Sequence, residues 1–187
     1  MKTTRVTIER RKDIRWAFLA ILGLFAITAA GCGALARDLG PAQAQGPKVG
    51  TAAPDFTLKD LNGKSVSLKD FKGRPVMVNF WASWCGPCKV EMPDMQAAQE
   101  ELGKGAGFVI LAINLGENKS TAEGFLTQNK FDFLALLDRD RSVAQNKYRL
   151  IGLPTSFFID KQGVIREIQT GPLANKEHLM SKINSIL

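Results

Sequence analysis

The segment at residues 75–89 reads PVMVNFWASWCGPCK, and it decides the fold. Its first half is a short apolar run of the kind found in a β-strand that is buried on both faces. A helical pattern begins at Pro87, where a proline has no intrahelical N–H bond to lose, and extends to about residue 102. The segment therefore predicts that Cys85 and Cys88 lie where a buried strand meets the N-terminus of a helix.

Strand and helix signals alternate along the rest of the chain. The pattern predicts strands at residues 56–58, 66–68, 75–81, 108–114, 133–137, 155–159 and 164–170, with Asn62-Gly63 as a hairpin turn between the first two. It predicts helices at 87–102, kinked at Pro93, and at 120–129, 142–148 and 175–187, the last with Asn175 as its N-cap. This order, β, β and then βαβαβαββα, predicts an α/β fold with a central mixed sheet and helices on both faces.

The composition is that of an ordinary globular protein, but the charge is unevenly distributed. The 187-residue chain is 45% hydrophobic and 23% charged, which excludes a disordered or fibrous protein. Residues 1–15 carry six lysines and arginines against two acidic residues, so they hold +4 of the net charge of +7. Because the rest of the chain is only mildly basic, no nucleic-acid partner is predicted.

An uncharged stretch at residues 16–36 follows this basic leader. As a helix its 21 residues would span roughly 30 Å, the thickness of a bilayer core. Because positive charge precedes the stretch, the N-terminus is expected in the cytoplasm, and everything after residue 36 is expected on the extracytoplasmic side. Three fates stay open: an uncleaved anchor in the lipid bilayer, a signal peptide cut after Ala34-Leu35-Ala36, and lipidation at Cys32, where Ala29-Ala30-Gly31-Cys32 resembles a bacterial lipobox.

This pattern divides the chain into three parts. Residues 1–36 are predicted to be a signal anchor or signal peptide, and residues 37–48, which are rich in Ala, Gln, Gly and Pro, a flexible linker. Residues 49–187 are long enough for one well-buried domain and too short for two large ones.

The Cys-x-x-Cys spacing suits either half of a zinc site or a redox dithiol. Zinc needs about four ligands. The chain has three cysteines, one of them Cys32 in the leader, and a single histidine, His178, in the last predicted helix. No metal and no other cofactor is therefore predicted. A static disulfide is a further alternative, but so short a loop would stabilise the fold little.

At a helix N-terminus the two thiols are expected to differ. Cys85 would face the unpaired N–H groups and the positive end of the helix dipole, which stabilise a thiolate, whereas Cys88 would lie one turn further in and be more covered. Cys85 is thus predicted to be the nucleophile and Cys88 the resolving thiol. The cycle would pass through a mixed disulfide between Cys85 and a substrate cysteine.

The segment from Phe80 to Lys89 resembles the active-site segment of thioredoxins, and Gly152-Leu153-Pro154-Thr155 resembles their cis-proline loop. From residue 49 to residue 187 the chain resembles more specifically the membrane-anchored TlpA/ResA-like branch of thioredoxin-fold thiol-disulfide oxidoreductases. The shared motifs are Ala53-Pro54-Asp55-Phe56, Cys88-Lys89 followed by Glu91-Met92-Pro93, Phe157-Phe158-Ile159-Asp160 and Gly163. The resemblance implies a thioredoxin-like fold with an N-terminal β-hairpin extension and a central strand-helix insertion around residues 114–137.

The resemblance also implies roles for individual residues. Where cytosolic thioredoxins carry a buried aspartate this chain has Asn79, which cannot titrate, and Glu91 is the residue implied to exchange protons with Cys88. Pro154 is implied to be cis, so that the backbone before it pairs with an extended substrate. Substrate contacts are expected from Trp84, Gly86, Pro87, Leu153 and Thr155, with Trp81 in the core.

These features favour an exported protein-disulfide reductase, held at the cytoplasmic membrane by its N-terminus. The family implies client proteins such as apocytochrome c, a membrane thiol carrier as electron donor, and a monomer. One alternative is a peroxiredoxin-like peroxidase, because Ala53-Pro54-Asp55-Phe56 also opens such domains, but no Pro-x-x-x-Thr segment leads into Cys85 or Cys88 as it would into a peroxidatic cysteine. The other is a binding module that uses the cis-proline groove without catalysis, which intact Cys85 and Cys88 disfavour.

Overall fold

The structure is a computed structural model, and it describes residues 46–187. The predicted leader at 1–36, including Cys32, and residues 37–45 of the predicted linker lie outside the described residues. Among the helices of residues 46–187, none combines the length and the apolar character that crossing a bilayer requires.

Seven strands form one mixed sheet in the described part of the chain. They are β1 (Thr57–Asp60), β2 (Ser65–Ser67), β3 (Val76–Trp81), β4 (Val109–Leu115), β5 (Leu134–Asp138), β6 (Thr155–Ile159) and β7 (Ile165–Thr170). Their order across the sheet is β2-β1-β5-β4-β3-β6-β7. β3, β4 and β5 are parallel, β1 is antiparallel to β2 and β5, and β6 is antiparallel to β3 and β7. Every predicted strand is present, with its ends shifted by two residues at most.

The α-helices described by the structure are α1 (Gly86–Leu102), α2 (Lys119–Gln128) and α3 (Lys176–Asn184). α1 begins with Pro87 in its first turn and contains Pro93, as predicted. The side-chain oxygen of Asn175 accepts a hydrogen bond of 2.9 Å from the His178 N–H, so Asn175 is the N-cap of α3, also as predicted.

Two short helical turns differ from the predictions. The helix predicted at 142–148 is a single π-helical turn, Val143–Lys147. It is bracketed by Arg141 and Arg149, whose positive φ angles of 60° and 51° turn the chain out of the helical conformation on both sides. A 3₁₀ turn at Leu68–Phe71 was not predicted, because the sequence pattern indicated a strand at residues 66–68. It begins where the Asp70 carboxylate accepts a 2.8 Å hydrogen bond from the Ser67 N–H.

The side chains of β3 alternate between two cores on opposite faces of the sheet. Met77 and Trp81 pack on one face with the buried residues of all three α-helices. Val78 and Phe80 pack on the other face, with Tyr148 and the two short turns. Burial of a large apolar side chain contributes about 1.5–3 kcal/mol, and every residue of β3 is buried. The strand is therefore held at the centre of the fold, with helical segments on both faces as predicted.

The loop that carries the cysteines and the loop before β6 lie at the same edge of the sheet. The parallel strands β3, β4 and β5 end at this edge, and β6 begins there because Thr155 pairs with Phe80 near the end of β3. Loops outside the carboxyl ends of parallel strands are the usual ligand sites of α/β sheets. The N-terminal hairpin β1–β2 extends the sheet beyond β5, and α2 with β5 forms the strand-helix insertion that the resemblance implies.

Candidate active site

Cys85 and Cys88 form a disulfide at the N-terminus of α1. Their Cα atoms are 5.3 Å apart, and Cys85 is the N-cap residue of the helix. The Cys88 N–H donates a 3.2 Å hydrogen bond to the Sγ of Cys85. The exposed fraction is 5% for Cys85 and 1% for Cys88, whereas Gly86 and Pro87 between them are exposed. The sulfur of Cys85 thus occupies the position where a helix terminus stabilises negative charge.

The loop before Cys85 is anchored to the end of the neighbouring strand. The Glu117 carboxylate accepts hydrogen bonds from the Ser83 N–H at 2.9 Å, from the Ser83 hydroxyl, and from the Asn114 side-chain nitrogen at 2.6 Å. The sequence reasoning missed Glu117 and Ser83. A usable signal existed, because Glu117 follows β4, and β4 runs parallel to the strand that carries the cysteines.

Glu91 is buried on the face of α1 that also buries Cys88, one turn further along. Its Oε1 accepts a 2.9 Å hydrogen bond from the Asn79 Nδ2, and its Oε2 accepts one of 2.9 Å from the Leu173 N–H. Burial raises the pKa of Glu91 from 4.5 to about 7, and the hydrogen bonds from Leu173 and Asn79 moderate the rise. A carboxyl group that titrates near neutral pH therefore lies beside the more buried cysteine.

Asn79 links Glu91 to the strand that follows the cis-proline loop. Its Nδ2 also donates a 2.9 Å hydrogen bond to the Ser156 Oγ, across the antiparallel pair of β3 and β6. Its Oδ1 is buried and has no hydrogen-bond partner within residues 46–187. The amide nitrogen of Asn79 thus makes two hydrogen bonds, whereas its amide oxygen makes none.

The cis-proline loop lies at the sheet edge where the strand before the cysteine motif ends, because Thr155 pairs with Phe80. The Leu153–Pro154 peptide bond is cis, as the resemblance implies. The Thr155 hydroxyl donates a 2.8 Å hydrogen bond to the Gly152 carbonyl and closes the loop. Among the described residues, the backbone N–H and carbonyl of Leu153 have no hydrogen-bond partner, which leaves both groups available to a bound chain.

The two tryptophans of the motif have opposite environments. Trp81 is fully buried and its ring centroid lies 5.4 Å from that of Phe125 on α2. Trp84 is 63% exposed immediately before Cys85, and Ile151 in the opposite loop is 90% exposed. The positions match the predicted division into a core tryptophan and a surface tryptophan.

No group of three or more His, Cys, Asp or Glu side chains in residues 46–187 is arranged to hold a metal ion. The Nδ1 of His178 accepts a 3.3 Å hydrogen bond from the Ala174 N–H, so this histidine contributes to the N-terminus of α3.

Known proteins resemble this chain in sequence and in structure. Residues 49–168 match the AhpC/TSA family. The chain is 41% identical over 138 residues to the thiol-disulfide oxidoreductase ResA of Geobacillus kaustophilus, covering 74% of this chain and 78% of the relative. It is also 41% identical over 124 residues to ResA of Bacillus subtilis, covering 66% and 68% of the two chains. A crystal structure described as the thiol:disulfide interchange protein DsbE of Chlorobium tepidum aligns with a TM-score of 0.69 and 35% identity, over 75% of this chain and 98% of that one.

Proposed function

Because the chain belongs to the AhpC/TSA family and is a thiol-disulfide oxidoreductase with the thioredoxin-like fold, we propose that it reduces disulfides of client proteins on the extracytoplasmic side of a membrane. The Cys85–Cys88 pair carries two electrons in each cycle. The observation that best supports this role is the position of Cys85 as N-cap of α1, with its sulfur accepting the Cys88 N–H.

The reaction passes through a mixed disulfide. The Cys85 thiolate attacks one sulfur of the client disulfide, so that the client S–S bond breaks, a bond forms between Cys85 and the client, and the other client sulfur leaves as a thiolate that takes up a proton. The Cys88 thiol then loses its proton and attacks the Cys85 sulfur, which releases the second client thiol. The client gains two electrons and two protons, and the protein is left with the disulfide seen in this structure.

Glu91 handles the proton of Cys88 in this proposal. A group that must accept and return a proton near neutral pH works best with a pKa in that range, and the pKa of Glu91 is about 7. Asn79 donates to Glu91 when the carboxylate is charged. When Glu91 is protonated, its O–H becomes a donor in the same buried cluster, where the Asn79 Oδ1 is an unused acceptor and the Ser156 hydroxyl can donate or accept.

The client backbone lies along the cis-proline loop. The unpaired N–H and carbonyl of Leu153 offer a donor and an acceptor to an extended segment, in the manner of an added β-strand. Pro154 and Thr155 hold this loop beside Cys85, while Gly86, Pro87 and Trp84 form the exposed surface around the sulfur.

The location and the partners in this proposal rest on the leader and on the resemblance. The basic segment at 1–15 and the uncharged segment at 16–36 favour attachment to a lipid bilayer with the domain outside, whether by an uncleaved anchor or through a lipid on Cys32. A membrane thiol carrier supplies the electrons, apocytochrome c is the client that the family implies, and the domain acts as a monomer.

Trapping with Cys88→Ala tests the proposed cycle. Without its resolving thiol, the reduced full-length protein should accumulate a covalent adduct with an oxidised Cys-x-x-Cys-His peptide, and mass mapping should place the bond at Cys85. An adduct at another residue would overturn the assignment, and the Cys85→Ser variant serves as the control that should form none. Peroxide consumption by the reduced wild-type protein should not exceed that of a free dithiol, whereas faster consumption would favour the peroxidase alternative.

A further inference from the structure

A pocket of about 200 Å³ lies beside Trp84 at the sheet edge that carries the redox pair. Most of its wall is apolar, formed by Trp84, Leu115, Leu150, Ile151 and Leu153. Arg141 is the charged side chain in this wall, and no acidic side chain lines the pocket within the described residues. The pocket therefore combines an apolar surface with a positive charge, next to the loop where a client backbone would bind.

The backbone around Arg141 is built to bring this residue to the pocket. The carbonyl oxygen of Asp138 accepts hydrogen bonds from the Arg141 N–H at 3.1 Å and from the Gly116 N–H at 3.0 Å, which joins the ends of β4 and β5. The Asp138 carboxylate is fully buried and accepts the N–H groups of Val143 at 3.2 Å and Ala144 at 2.9 Å. These bonds hold Arg141 at a φ of 60°, a conformation that non-glycine residues seldom adopt.

Gly116 makes room for the guanidinium of Arg141. A Cβ atom at position 116 would lie 2.6 Å from the Nε and 2.9 Å from a terminal nitrogen of Arg141, so a side chain there would displace the guanidinium. Gly116 also has a φ of 72°, a region that favours glycine. The guanidinium thus rests directly against the backbone at the end of β4.

The guanidinium has no partner of its own in residues 46–187, where it makes neither a hydrogen bond nor an ion pair. Arg166, by contrast, is paired with Asp160 at 2.6 Å. The nearby carboxylate of Glu117 is already occupied by Ser83 and Asn114. An exposed guanidinium whose donors are all unused is available to a carboxylate, which it can bind through two parallel hydrogen bonds.

We propose that Arg141 binds an acidic side chain of the client, close in sequence to the target cysteine, while Trp84 and Ile151 contact an apolar neighbour in the same segment. The occupant is an extended client segment lying on the unpaired backbone of Leu153, and the charge of the pocket selects for acidic residues in it. This inference rests on the proposed function and extends it to the choice of client.

The experiment compares pairs of disulfide-bonded Cys-x-x-Cys peptides. The two peptides of a pair are identical except for Glu or Gln at one position, either immediately before or immediately after the target cysteine. The reduced full-length protein is assayed for kcat/KM by separation of a quenched fluorophore pair. At one of these positions we expect the Glu peptide to be preferred about threefold to fivefold at low ionic strength, as for a partly exposed ion pair, and the preference to weaken with added salt. Arg141→Gln should abolish the preference and leave reduction of the Gln peptide unchanged.

Two further variants separate the pocket from general charge effects. Gly116→Ala, which displaces the guanidinium, should lose the preference as Arg141→Gln does. Arg149→Gln is the matched control, because Arg149 is also exposed and also has a positive φ but lines a different pocket. It should retain the full preference.

The possible failures are distinct. If the wild-type protein reduces Glu and Gln peptides equally at every position, the pocket does not select acidic clients, and the proposed reductase function stands. Loss of the preference in Arg149→Gln would also overturn the inference, because net charge would then explain the effect. If the wild-type protein reduces no peptide, the proposed function itself fails.

Discussion

The two sides of the redox pair differ in what they expose. On the inner side, Cys88, Glu91 and Asn79 are closed off from solvent, and hydrogen bonds join Glu91 to Asn79 and to the distant Leu173. On the outer side, Trp84 and Ile151 present apolar surface, and Arg141 presents an unpaired charge at the mouth of a pocket. Proton handling needs burial, because desolvation moves a carboxyl pKa toward neutrality, whereas recognition needs exposure. We therefore expect substitutions on the inner side to alter pH dependence and stability, and substitutions on the outer side to alter client affinity.

The largest effect is expected at Cys85, where the two sides meet. Cys85→Ser removes the nucleophile, and disulfide reduction should fall by roughly a thousandfold or more, as for other enzymes deprived of a nucleophile. An insulin reduction assay measures the loss, and circular dichroism checks that the fold is retained. Activity that survived in a folded variant would contradict the dithiol mechanism.

The inner side can be tested by the effect of Glu91→Gln on stability. The pKa of Glu91 in the folded protein, about 7, is higher than its ordinary value of 4.5, so the folded protein binds this proton more tightly than the unfolded chain. The contribution of Glu91 to the free energy of unfolding is greatest below pH 4.5 and decreases as the pH rises toward 7, by about 3 kcal/mol in total. Urea unfolding of the oxidised protein at several pH values should show this decrease in the wild type. The difference between wild type and Glu91→Gln isolates it from other titrating groups.

A pH-independent difference between these two proteins would mean that Glu91 titrates normally. In that case the thiol titration of reduced Cys88 should also be unaffected by the substitution. Glu123→Gln provides a control, because the Glu123 side chain on α2 is half-exposed and makes only a surface ion pair of 3.8 Å with Lys119. It should change the free energy of unfolding by less than about 0.5 kcal/mol at any pH.

Substitution of Glu117, which anchors the loop before Cys85, is expected to have an intermediate effect. Glu117→Gln replaces the charge-assisted hydrogen bonds from Ser83 and Asn114 by neutral ones, because an amide oxygen takes the place of the Oε2 that accepts from both. The free energy of unfolding should fall by about 1–2 kcal/mol, as measured by urea unfolding. Because the loop that positions Cys85 loosens, kcat should fall as well, whereas stability and kcat equal to those of the wild type would show that Glu117 does not position the loop.

The smallest effect is expected on the outer side, from substitution of Trp84. Trp84→Ala removes exposed apolar surface, so the client KM should rise about threefold to tenfold, by analogy with aromatic contacts at interfaces. The free energy of unfolding should stay within about 0.5 kcal/mol of the wild-type value, because the Trp84 side chain is mostly exposed in the folded protein. Trp84→Phe should restore most of the affinity. An unchanged KM with a lowered kcat would instead assign Trp84 to the chemical step.

Prediction from the sequence worked where a local pattern decides the structure. The strand at residues 76–81 was evident because burial on both faces demands a continuous apolar run, and the N-terminus of α1 because Pro87 suits a first turn. The π-helical turn at Val143–Lys147 was predicted as an α-helix. Its geometry depends on a buried carboxylate at Asp138, which no local pattern reveals.

The candidate site divides in the same way. Cys85 and Cys88 were evident from their spacing, and Glu91 from a family resemblance, but the burial of Glu91 depends on the Leu173 N–H, 82 residues away in the sequence. Glu117 and Arg141 were missed because each acts through partners on other strands or loops. Their roles depend on which strand ends share one edge of the sheet.

The sequence by itself thus determined the order of elements, the Cys-x-x-Cys junction of strand and helix, and the basic and apolar leader, because each is written in neighbouring residues. Only the tertiary structure decided that Glu91 titrates near neutral pH, that Glu117 holds the cysteine loop, and that Arg141 lies unpaired in a pocket beside the cis-proline loop. A pKa and a binding surface arise from desolvation and from groups that are distant in sequence, and these are established only when the chain has folded.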